Sequence, residues 1–222
     1  GTTPSFTALP ENTYDLSYQT GDDPDTFYHW AEFDGVFWEV NRPEGSAGTG
    51  VFDSFLRIQA NGKERGYNTN GPTEFDTKTG TWTRAITISE IPYGTSILNK
   101  GTPDEITYSG FEFMIDINET TPKSIMKVDE YQFWLTGNPN LTGYAPTGEG
   151  PSMMWNAEND EPVWIGEIDW DFNAGESIDR QLIMDYLVNS GSGAADYRVL
   201  IPENYFFDAV SRYNDRHGIE LN

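Results

Sequence analysis

The run WIGEIDWDF, residues 164–172, sets three carboxylates at alternate positions, Glu167, Asp169 and Asp171. Carboxylates in such a row serve acid/base or nucleophilic chemistry on a strand, coordination of a hard metal ion, or plain solvation of an acidic face. Read onward, Asp169, Asp171, Asn173 and Gly175 spell D-x-D-x-N-x-G, short oxygen side chains followed by a glycine near a turn. Calcium takes about six to eight such oxygens, and a turn supplies side-chain and carbonyl ligands together. An EF-hand loop would carry a glutamate at its twelfth position, where this chain has Arg180. The form left for calcium is a β-turn site completed by Glu176 or Asp179. The alternative is an Asx-rich turn whose side chains bond their own backbone.

Further acids stand at Asp22, Asp23 and Asp25, and at Glu158, Asp160 and Glu161, where a cation shared between two surfaces would neutralise both. Among the tryptophans, Trp134 lies opposite the Tyr131, Phe133, Leu135 face and Trp155 sits in the polar run MMWNAEND. Both are candidates for stacking on a pyranose ring, weighed against the commoner role of a buried or interface aromatic. His29 and His217 have no metal-ligand partner by spacing. There is no cysteine, which removes disulfides, thiolate metal sites and a cysteine nucleophile, and leaves zinc without a ligand set.

The net charge of −23, from 36 acidic against 13 basic residues, would repel a phosphate backbone over most of the surface, so no nucleic acid is expected as a partner. The acids are spread along the chain rather than gathered in a tail. Close packing of many such copies would require counter-ions. No apolar run approaches the roughly 18 residues of a membrane-spanning helix. The N-terminal GTTPSFTALPENTYDL has neither the basic nor the apolar part of a signal peptide, so an exported chain would be in its processed form. The sequons at Asn118 and Asn140 are compatible with export.

The elements that must position these residues are strands. FEFMIDIN alternates Phe111, Phe113, Ile115 and Ile117 against Glu112, Met114 and Asp116, and DEYQFWL alternates Tyr131, Phe133 and Leu135 against Gln132 and Trp134. RAITI, FDGVFWEV, VFDSFLRIQA, QLIMDYLV and DYRVLIP read as further strands, with turn-rich connections at NRPEGSAGTG, QANGKERGYNTNGPTE and NSGSGAA. After Pro202, Tyr205, Phe206, Ala209, Val210 and Tyr213 recur at helical spacing, with Gly218 as the stop. The expected fold class is all-β: an antiparallel β-sandwich of jelly-roll type with a short C-terminal helix. Residues 26–222 are expected as one domain and residues 1–25 as an extended polar arm.

Two resemblances attach to these segments. GEIDWDF resembles the catalytic strand of laminarinase-like glycoside hydrolases, which implies Glu167 as nucleophile, Asp169 as the residue that orients it and Asp171 in the acid/base position. Asp171 is one methylene shorter than the glutamate of that pattern. A broader resemblance runs over residues 47–206. GTG at 48–50, GYNT at 66–69, SGSG at 190–193 and Ile201-Pro202 are similar in type and order to exported bacterial proteins that often carry a PEP-CTERM sorting signal. That resemblance implies an extracellular or cell-surface location more than a chemistry, and SRYNDRHGIELN, where the sorting signal would follow, departs from it.

The resulting expectation is an extracellular structural protein that assembles with itself into a filament, tube or matrix layer, stabilised by calcium, with TTPSFTAL as a donor strand. The alternatives are a polysaccharide-binding module using Trp134 and Trp155, and a laminarinase-like glycoside hydrolase.

Overall fold

The computed structural model describes residues 12–17, 29–41, 53–60, 62–117, 125–145, 162–168, 170–171, 176–185 and 195–219. In chain order the strands are β1 (Thr13–Asp15), β2 (Trp30–Phe33), β3 (Val36–Val40), β4 (Tyr93–Leu98), β5 (Ile106–Ile115) and β6 (Ile125–Val128). They continue as β7 (Gln132–Leu135), β8 (Val163–Glu167), β9 (Trp170–Asp171), β10 (Glu176–Ser177), β11 (Gln181–Asp185) and β12 (Tyr197–Ile201). The helix α1 (Glu203–His217) follows. The protein is therefore all-β with one C-terminal helix, and its sheets are antiparallel apart from the parallel β1–β11 pair.

The chain divides into two compact units. The first comprises Gly1–Phe52, Pro92–Gln132 and Glu167–Glu203. Its larger sheet has the order β2-β3-β12-β5-β4, and its smaller sheet the order β1-β11-β6. Asp34 and Gly35, at φ 53° and 78°, form the two-residue link between β2 and β3. Two successive left-handed residues match the twist of the strands they join, which is why Asp-Gly is a hairpin signal. The longer β4–β5 hairpin turns on Asn99 and Gly101, also left-handed, with Asn99 Nδ2 donating to Asp104 O at 3.1 Å.

The two sheets of this unit meet face to face as a sandwich. Tyr14 and Phe33 bring their rings within 5.2 Å, and the hydroxyl of buried Tyr197 on β12 accepts from Asp185 N at 2.8 Å while donating to Leu16 O at 3.1 Å. Burial pushes the Tyr197 phenol pKa upward, so it stays protonated and available to donate. Trp38, Val40, Tyr197, Val199, Ile201 and Phe113 fill the space between the sheets. These strands establish the sandwich; they do not by themselves spell a jelly-roll order.

The second unit comprises Asp53–Ile91, Phe133–Gly166 and Asn204–Asn222. Its framework is the β7–β8 pair and the helix. The helix buries Phe206 and Ala209, and Arg212 Nη2 and Arg216 Nη1 donate to Trp164 O and Pro162 O at 2.8 and 3.3 Å. It ends as expected: Gly218 takes φ 64° and Ile219 N returns to Asn214 O at 2.9 Å, a left-handed cap that satisfies a terminal carbonyl. Among the described residues no helix is long and apolar enough to cross a membrane.

Four sequence expectations change. VFDSFLRIQA contributes only an isolated bridge between Ile58 and Thr77, because its main chain bonds loops rather than a neighbouring strand. RAITI is irregular and runs into a single 3-10 turn, Ile88–Glu90. There the Glu90 carboxylate takes both the N–H (2.7 Å) and hydroxyl (2.9 Å) of Thr87, which favours a turn over a strand. WIGEIDWDF is not one strand. It stops at Glu167 and resumes at Trp170: the N–H of buried Ile168 still bonds Tyr131 O at 3.2 Å at the end of the β7–β8 pair, but its carbonyl is taken by the Arg180 side chain, Nη1 at 2.9 Å. Finally, Thr13–Asp15, inside the stretch read as an arm, is a strand beside β11. The donor segment TTPSFTAL, residues 2–9, lies wholly outside the described residues.

Candidate functional site

The acidic hairpin keeps part of its expected arrangement. Asp171 on β9 is paired with Glu176 on β10, so two of the five proposed calcium ligands are cross-strand neighbours in the backbone register. Asp179 is exposed beyond the hairpin, while Asp169, Asn173 and Trp155 lie outside the described residues. Trp134 is half-buried on β7, as are its strand neighbours, so β7 offers no single solvent face. Among the described residues no three Asp, Glu or His side chains are grouped to hold a metal. Arg180, which follows the hairpin in the chain, is buried, bonded to Ile168 O and paired with Asp34 at 3.0 Å. The interruption after Glu167 also means that Glu167 and Asp171 do not share one continuous strand, the arrangement on which the glycosidase resemblance rests.

A second acidic constellation was not anticipated. Alternation along β3 sends Trp38 and Val40 into the sandwich and Phe37 and Glu39 to the other face of the large sheet. Register places Arg198 opposite Glu39 and Leu200 opposite both Phe37 and Glu112, so all share that face. Arg198 Nε bonds Glu39 Oε1, its Nη1 donates to Glu112 Oε2 at 3.0 Å and its Nη2 to Thr95 O at 3.2 Å. Ser96 Oγ closes the group by donating to Glu39 Oε2 at 2.8 Å. Glu39 is 2% exposed, and burial raises its pKa despite the opposing attraction of Arg198 and the bonds from Ser96 and Arg198. An aromatic row borders it: Trp30 lies 5.7 Å from Phe37, and Phe37 stacks on Tyr108 at 4.2 Å.

Both carboxylates are committed to one guanidinium, so the group works as a lock rather than as an open acid/base pair. Its effect is to fold β4 inward. Gly94 and Gly110 face each other across β4 and β5, and a Cβ at Gly94 would meet Leu200 Cδ2 at 2.8 Å and the Glu112 carboxylate. Glycine at these positions permits the close approach that the curl needs. The signal in the sequence was a charged residue inside an apolar strand run, Glu39 in VFWEV and Arg198 in YRVLI.

What the lock positions is a sheet edge. Pro92 O accepts from Glu112 N at 2.8 Å, which makes that pair the hydrogen-bonded start of the β4–β5 ladder. By alternation, Gly94, Ser96 and Leu98 bond toward β5, while the main-chain groups of Tyr93 and Ile97 and the N–H of Thr95 turn to the outer edge, the Thr95 carbonyl being taken by Arg198. The side chains of Tyr93 and Ile97 are 56% and 41% exposed. Edge strands are usually blunted by charge. In the two larger sheets of the first unit, the edges β1, β2 and β6 carry Asp15, Glu32 and Lys127, but YGTSIL carries none. YGTSIL is not among the expected strands; its signal is the alternation of Tyr93, Thr95 and Ile97 with Gly94, Ser96 and Leu98. No protein-family model matches the chain, and neither a curated protein nor a solved structure matches it.

Proposed function

We propose that this chain is an extracellular structural protein that joins copies of itself by strand pairing at β4, building a filament, tube or matrix layer. The observation that carries this reading is the uncharged, outward-facing edge Tyr93–Leu98 in a chain of net charge −23. The outward main-chain groups of Tyr93 and Ile97 supply the pairing and their side chains supply apolar contact, the two components of strand addition. In this reading the donor is the uncharged N-terminal segment TTPSFTAL, which gives a head-to-tail and therefore extendable contact. Calcium is the proposed counter-ion, with Asp171 and Glu176 at the acidic hairpin as its first ligands.

Negative-stain electron microscopy and sedimentation of the purified chain, with calcium and with chelator, test this against Ile97→Lys. The expected result is extended assemblies for the parent chain that calcium promotes and chelator disperses, and single particles for Ile97→Lys with an unchanged circular dichroism spectrum. Single particles for the parent chain under every condition, or equal assembly by Ile97→Lys, would remove the reading.

A further inference from the structure

Segment 53–91 differs from the rest of the chain in charge. Its basic residues Arg57, Lys63, Arg65, Lys78 and Arg84 equal its acids Asp53, Glu64, Glu74, Asp76 and Glu90 in number, so the whole net charge of −23 resides elsewhere. The acids are occupied locally. Asp53 and Glu90 pair with Arg84 at 3.3 and 2.7 Å, Glu74 takes the Tyr67 hydroxyl and Gly143 N, Asp76 takes Arg65 N at 3.0 Å, and Glu64 takes Ala60 N at 2.9 Å.

The main chain then sets two of the cations side by side. The Ile58–Thr77 bridge and the 2.8 Å bond from Lys78 N to Arg57 O place Arg57 and Lys78 opposite each other on adjacent segments, both exposed, while Thr77 turns inward. Like charges in direct opposition destabilise a pairing, and among the described residues neither has a carboxylate partner. Beside them is Trp82, 49% exposed, its ring centroid 5.3 Å from Arg57 Cζ. Its main chain accepts from Ser54 Oγ at Trp82 O, 3.3 Å, and the hydroxyl of the next residue, Thr83 Oγ1, accepts from Arg57 N at 3.4 Å. One segment further across, Arg65 lies 4.2 Å from the ring of exposed Phe75, whose φ of 56° is a conformation bulky residues rarely adopt.

We propose that Arg57, Lys78 and Trp82 form a binding site for an acidic polysaccharide, the two cations taking a hexuronate carboxylate and the open part of the indole stacking on the pyranose ring. A flat exposed aromatic beside paired cations fits a charged sugar better than it fits the carboxylates of a protein surface, which have no ring to stack. The acidity of the remaining chain does not cancel the site, because at physiological ionic strength charges beyond about 8 Å are largely screened. This site is independent of assembly at β4.

The test is affinity electrophoresis of the whole chain through gels containing polygalacturonate or neutral dextran, with chelator present so that calcium cannot bridge two polyanions. The parent chain, Trp82→Ala and the double variant Arg57→Gln/Lys78→Gln are run together, with circular dichroism confirming the fold of each. Retardation by polygalacturonate alone, with dissociation constants about tenfold weaker in both variants, is the expected result. The site is overturned if the parent chain is not retarded or if the variants are retarded equally. Equal retardation in dextran, or displacement by a single-stranded oligonucleotide as readily as by polygalacturonate, overturns the assignment to acidic sugar.

Discussion

Ser96, on the edge strand β4, donates a 2.8 Å hydrogen bond to the carboxylate of Glu39, which lies three strands away on β3. In a flat sheet that separation would be about 14 Å at the backbone. The bond therefore records how far the sheet curls, and Arg198 between the two strands is the cation that makes the curl electrostatically tolerable.

Replacing Arg198 by methionine keeps most of the volume of the aliphatic stem but leaves Glu39 and Glu112 facing each other without a cation. Removing one partner of a buried ion pair costs about 3–5 kcal/mol. Arg198 is about a fifth exposed, so the loss belongs at the low end, about 3 kcal/mol. Urea denaturation of Arg198→Met should show it, and a shift of less than about 1 kcal/mol would mean the network contributes little to stability.

The pKa of Glu39 gives a pH dependence of defined sign. Its folded value is raised above the ordinary 4.5, so the folded state holds this proton more tightly than the unfolded state. The stabilisation this contributes is complete below 4.5 and is lost as pH rises through the folded value. Glu39→Gln, a fixed neutral counterpart, should therefore gain on the parent chain as pH increases from about 4 to 7. Denaturation midpoints of both proteins across that range measure it; a gap that stays constant, or moves against glutamine, contradicts the assignment. Glu90 has the opposite sign, since the Thr87 N–H and hydroxyl, with Arg84, lower its pKa, and its contribution is lost on acidification.

Gly110→Ala should be among the most damaging substitutions of a small residue in the chain. A Cβ at Gly110 would collide with the carbonyl oxygen of Ile201, a main-chain atom of the central strand that cannot rotate away. Overpacking costs about 1–3 kcal/mol where side chains can adjust, so a cost of about 3 kcal/mol or more is expected here. Thermal unfolding of Gly110→Ala beside the parent chain measures it, and a loss below about 1 kcal/mol would mean that the two strands shift to admit the added carbon.

Phe206 is the larger of the two buried residues on the helix. Truncation to alanine should cost about 3–5 kcal/mol, the range for a buried phenylalanine that leaves a cavity. If the helix were only loosely attached, chemical denaturation would show a loss below about 1 kcal/mol.

The local elements were legible in the chain because their causes are local. The period-two runs around Phe113 and Val199 became β5 and β12, and the three-to-four spacing after Pro202 became the helix, with Gly218 as its stop. Composition likewise determined the charge and the absence of thiol chemistry. The acidic run around Glu167 does not continue as one strand because strand continuity is a property of the partners, and the carbonyl of Ile168 is taken by the Arg180 side chain. Only the tertiary structure brought Arg198 to Glu39 and Glu112, left β4 at an edge without charge, and set Arg57 against Lys78 beside Trp82. Each of these depends on the register between segments distant in the chain. The faces that meet are chosen by burial summed over whole sheets, a quantity no short window of sequence contains.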